Sequence, residues 1–223
     1  MMLYRTLNTL LLLTIAAMSA MAQTTEEAPM RTLLGGEKKL HHGGWGALTT
    51  HHTRIMDQDA LLLGARGAWL INHRISIGIG GHGLLTPVFN NAYDAHLIEQ
   101  GEVPLRRSSL YMGYGGLLIE PVIAYRSPVH ITLPVIVGAG GVTYGHSGRL
   151  PEDADALAHE VRYDAQAFFV VEPGIELEMN IIPLVRVGIG ASYRYTSDLD
   201  LPATPKDALH GLSAGISVKV GAF

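Results

Sequence analysis

Cysteine is missing from all 223 residues, so no disulfide staples this chain and no acylated cysteine can anchor it as a lipoprotein. Charge is sparse, at 16% of residues, and the formal balance is only −4, which argues against a nucleic-acid partner. Past the N-terminus no segment offers 18 uninterrupted apolar residues, so no helix is expected to cross a membrane. If the chain enters a bilayer at all, it must do so as a closed barrel, the other way to satisfy every backbone polar group in lipid.

What is present begins with an export signal. Arg5 supplies a positive start, Thr9 to Ala17 an apolar run, and Ala20-Met21-Ala22 a small-residue cleavage site. Residues 1–22 therefore read as a signal peptide. Its removal takes one Arg and no acid, moving the charge from −4 to −5. Residues 23–42 read as a flexible polar tail, and 43–223 as one domain.

The domain is built on a repeated hairpin. From Leu117, the residues Leu117, Ile119, Pro121, Ile123 and Tyr125 fall on one face and Glu120 on the other. After a turn at Arg126-Ser127-Pro128, Val129, Ile131, Leu133, Val135 and Val137 share a face opposite His130, Thr132 and Gly138. Phe169 to Tyr195 repeats the plan, with the turn expected at Met179 to Ile182. Both copies carry Glu-Pro in the first arm and Gly-x-Gly in the second. Proline facing lipid at a bulge or weak ladder point accounts for the first.

Extending this alternation gives eight strands, starting near Gly43, Ala60 and Ile75 and ending at Phe223. Short turns near His73, Ser127 and Asn180 alternate with longer connections at 56–59, 86–108, 146–162 and 197–207. An even-stranded barrel with both termini on one side has this rhythm, whereas a sandwich has no reason for it. The expected fold is all-β: an eight-stranded antiparallel up-and-down transmembrane barrel.

A soluble lipocalin-like barrel also alternates, with its apolar face inside. Two features favour lipid outside. The non-aliphatic face is rich in mid-strand glycine and carries Glu120, Glu172, Glu176, Arg186, Arg194 and Lys219. In a narrow lumen small residues make room for long charged ones from the opposite wall. Aromatics also stand near strand ends on the apolar face, at Tyr111, Tyr125, Phe169, Tyr193 and Tyr195, as in the girdles of membrane barrels.

On these features the chain resembles the small eight-stranded outer-membrane barrels of the OmpA/OmpX type, over about Gly43 to Phe223. The resemblance implies a place in the cell outer membrane, outer-membrane lipid as surroundings, and insertion by the barrel-assembly machinery, with terminal Phe223 as the assembly signal. Phe223 departs from the family pattern, being out of phase with Val218 and Val220 unless a bulge at Gly221 restores it.

Eight strands leave room for side chains and little else. Glu120, Glu172 and Glu176 with Arg186 and Arg194 are therefore expected to form a lumen charge network; a narrow ion or small-solute path, porin-like, is the alternative. No cofactor or metal is expected, because His41-His42 and His51-His52 are adjacent and point to opposite strand faces. Nor is an enzyme, since His210 and Ser213 are three apart and His146-Ser147 lie in a loop. A scaffold presenting its long loops for adhesion, envelope integrity or capture of an extracellular ligand is the expected function.

Overall fold

In the computed structural model, residues 40–102, 107–146 and 164–223 are described. The signal peptide, nearly all of the N-terminal tail and most of the loop 146–162 lie outside the described residues.

From His41 to Phe223 the chain forms one unit. Its strands are β1 (His42–Ile55), β2 (Gln58–Ile71), β3 (Ile75–Leu84), β4 (Val88–Phe89), β5 (Ser108–Ile123), β6 (Val129–Thr132), β7 (Val135–His146), β8 (Ala165–Ile182), β9 (Val185–Thr196) and β10 (Gly211–Ala222). All pairings are antiparallel, and β1 pairs with β10, so the sheet closes. β6 and β7 are one strand interrupted at Leu133-Pro134, and β4 is a two-residue strand pairing with β5 in a loop, so the wall counts eight strands.

The interruption has a local cause. Pro121, Pro134 and Pro173 fall on neighbouring strands at one level, and none can donate to the ladder. The register is unchanged across the gap, bridged by Leu133 N–H to Pro121 O and Gly174 N–H to Pro134 O. No bulge accompanies either Glu-Pro; the one register shift of β8 against β9 is at Asn180/Ile182.

The outer face is apolar from rim to rim. Leu48, Ile79, Leu117, Ile175, Ile216 and Val220 are all at least half exposed. Among the described residues the only charged side chains at outward strand positions are Arg54 and Asp59, at one rim. An exposed band this large has no place in water and belongs in lipid. Tyr111, Phe169, Tyr193 and Tyr195 mark its upper edge and Trp69 its lower edge.

Four local expectations change. The β8–β9 turn lies at Pro183-Leu184, with β8 continuing through the positions expected to turn. The 56–59 loop is a two-residue turn, with Met56 and Asp57 at φ 48° and 60°. The 86–108 connection carries a helix of its own, α1 (Asn91–Glu99), capped by the Asn90 side chain. Tyr125 leaves the outer face: Ala124 has φ 58°, which turns the chain so that Tyr125 packs on the buried Leu118–Val122 cluster.

Candidate functional site

The barrel interior is the candidate site, and it has two parts. Its lower part, towards the short turns, is ionic. Lys219, 1% exposed, donates to Glu120 at 2.6 Å, contacts Glu178 directly, and lies 3.9 Å from Glu176. Its ammonium also stands 4.3 Å from the Trp45 ring, whose Nε1 donates to Ser76 at 3.1 Å. Arg66 donates to Glu176 at 2.5 Å. Glu178 accepts from Thr132 and faces His130 Nε2 at 3.2 Å and Arg186 at 3.8 Å.

One layer higher, Glu172 accepts from Tyr114 and Ser192, both at 2.7 Å. His82 and His51 face the same carboxylate at 3.5 and 3.9 Å, their rings 4.7 Å apart.

Space for these side chains comes from neighbouring strands. Glu176 is paired across the sheet with Gly190 and Glu178 with Gly188; Arg66 stands opposite Gly80, His82 opposite Gly64, and His51 opposite Gly215. A Cβ at Gly190 would lie 2.6 Å from Glu176 Cγ, and one at Gly80 would lie 3.0 Å from Arg66 Cγ. The glycines thus make room within the pair, not from the opposite wall as the sequence suggested.

All five residues expected in the network face the interior, but three of the pairings run through residues outside that set. Glu120 pairs with Lys219, Glu176 with Arg66, and Arg186 with Glu178. Arg194 stands apart. It is fully buried, donates from Nε to Leu209 O at 2.7 Å and lies 5.8 Å from the centre of the Tyr114 ring, and both its terminal nitrogens lack a hydrogen-bond partner among the described residues. By strand alternation Arg66 shares the inner face with Gly64, Glu178 with Glu176, and Lys219 with Ser217; their partners become visible only once the barrel closes.

Phe223 also faces inward. β10 runs in unbroken register against β1 to Ala222, so no bulge restores the outward phase, and the ring lies 3.8 Å from the Arg186 guanidinium carbon.

The oxygens of Glu120, Glu176 and Glu178 converge within 4.8 Å, as a metal's ligands would. Lys219 already occupies that position, so a divalent cation would have to displace a buried ammonium.

The upper part is apolar. Leu62, Leu110, Val142 and Phe168 from the strands pack on Tyr93 and Leu97 of α1 and on Leu199, Leu201 and Leu209 of the 197–210 loop. Tyr144 ties this cap together: it stacks on Tyr93 at 4.0 Å and bonds with Asn90 and Thr204, both at 2.7 Å. Burial first, then the bond to Asp164, raises the Tyr93 hydroxyl well above the ordinary phenol range. Between cap and ionic layer, a cavity of about 10 Å³ beside His51, Arg66 and Glu172 has room for roughly one water.

A closed ring of eight antiparallel strands, lipid-facing outside and ionic within, decides the comparison. The fold is that of the small eight-stranded outer-membrane barrels. Neisserial surface protein A matches with a TM-score of 0.51 at 10% identity, over 82% of this chain and 99% of that one. The N-terminal β-barrel domain of Pseudomonas aeruginosa OprF matches at 0.44 and 9% identity, over 79% and 96%. Ail, the attachment invasion locus protein of Yersinia pestis, in complex with sucrose octasulfate, matches at 0.47 and 8% identity, over 81% and 97%. No protein-family model and no curated protein sequence matches the chain.

Proposed function

We propose that the mature chain resides in the cell outer membrane as a closed, non-enzymatic barrel that acts through the surface of its cap. Adhesion, envelope integrity and ligand capture are all activities of such a surface. The observation that carries this reading is the double closure of the lumen, by paired charges below and by a packed apolar cap above. A solute would have to open both, and an ion crossing the lower layer would have to separate pairs that leave unpaired buried charge behind.

Export would remove residues 1–22, and the barrel-assembly machinery would insert the strands. Phe223 is committed to Arg186 in the folded barrel, so any recognition of it as a terminal aromatic precedes closure of the lumen.

Planar-bilayer recording tests the reading. The expected record is free of steady openings; steady openings that vanish in Glu172→Gln would replace the scaffold with a channel. Incubation with phospholipid and lipopolysaccharide is expected to leave both unchanged, and release of an acyl chain would overturn the non-enzymatic assignment.

A further inference from the structure

The two rims of the barrel differ in charge. At the long-loop rim the described residues include nine carboxylates against three cations, Arg54, Arg107 and Lys206. Outside the lumen, the described charged side chains at the short-turn rim are Arg74 and Arg126, both exposed, with no side-chain carboxylate in ion-pair range among the described residues.

These two arginines are held together. Their guanidinium carbons lie 5.4 and 5.6 Å from the centre of the Tyr125 ring. The two guanidiniums, Arg74 first, hold the Tyr125 hydroxyl below the ordinary phenol range. His73 stacks on the same ring at 6.0 Å and 7°. The arrangement depends on the left-handed φ of 58° at Ala124, a conformation that strains any residue with a Cβ. Without that turn Tyr125 would point outward with Ile123.

Two cations gathered on one neutral ring repel each other, and each guanidinium has five donors. An oxyanion with several acceptor oxygens relieves the repulsion and takes the free donors. Beside the pair is an open cleft of about 310 Å³, lined by Arg74, Val122, Ala124, Tyr125 and Arg126. Its depth selects the source of the oxyanion. Ile123 immediately precedes Ala124 in the chain and Ile75 immediately follows Arg74, both at the lower end of the lipid-facing band, which sets the cleft at headgroup level.

We propose that Arg74, Tyr125 and Arg126 form a phosphate-binding cleft that holds the headgroup of an anionic phospholipid in the leaflet facing the short turns. The proposal goes beyond the scaffold reading and is independent of what the cap binds.

Native mass spectrometry of the mature protein tests it, with phosphatidylglycerol, phosphatidylcholine and inorganic phosphate titrated separately. Phosphatidylglycerol is expected to bind at least tenfold more tightly than phosphatidylcholine, and Arg74→Gln with Arg126→Gln to abolish that preference. Arg126→Lys, which keeps the charge and loses the fork, is expected to retain part of it, and each variant should keep the wild-type mobility shift on boiling. Equal binding of the two lipids, or a preference unchanged in the double variant, would overturn the site. Inorganic phosphate binding as tightly as phosphatidylglycerol would overturn the assignment to lipid.

Discussion

The lower and upper parts of the lumen are enclosed by the same eight strands and filled by opposite chemistries. Below, Glu120, Glu176 and Glu178 surround Lys219, with Arg66 and Arg186 at the edges. Above, leucines and aromatics from α1 and the 197–210 loop fill the mouth, with Tyr144 as the polar tie. The difference follows from what each part must join. The lower wall is continuous sheet, where long charged side chains paired with glycines can reach across. The upper mouth has to hold loops that lack a ladder, and apolar burial does this without demanding one geometry.

The comparison predicts unequal responses to mutation. Lys219→Met leaves three buried carboxylates without their common ammonium, and a loss of about 3–5 kcal/mol is expected in urea unfolding from lipid vesicles followed by tryptophan fluorescence. A loss under 1 kcal/mol would mean the layer is solvated. Gly190→Val drives a side chain into Glu176 and should cost about 1–3 kcal/mol by the same assay, while the outward Gly46→Val, with open space around it, should change little. Tyr144→Phe removes the hydroxyl shared by Asn90 and Thr204 and should cost about 1–2 kcal/mol. Because that cost falls on the cap, limited proteolysis of the long loops should rise while the unfolding midpoint stays near wild type. Smallest of all, Arg194→Met removes a buried cation that no carboxylate among the described residues pairs with, and stability should be unchanged or slightly raised. Destabilisation as large as that of Lys219→Met would show that Arg194 belongs to the ionic layer after all.

Strand number, the inward and outward faces, and the position of the charges in the lumen were legible, because each rests on a period of two. Partner choice was not. Arg66 and Glu176 are 110 residues apart and meet only when the ring closes with a given stagger. Tyr125 was misplaced because one backbone angle, at an alanine, overrode the alternation. The Met56-Asp57 turn was taken for a longer loop because methionine carries no turn signal. The helix α1 did leave a trace, Asn90 ahead of Tyr93 and Leu97, but these are its only two buried residues, and one i, i+4 pair is too short to establish a helical period.

The large-and-small pairs across the strands also bear on how the barrel is assembled. Sliding β8 along β9 by two residues would leave an apolar residue at every outward position, so the membrane could not tell that arrangement from the native one. The interior could: in one direction Glu178 would leave Gly188 for Arg186, whose side chain fills the space beside Phe223, and in the other Glu176 would leave Gly190 for Ser192. Lipid thus selects the face of each strand, and the glycines select its alignment.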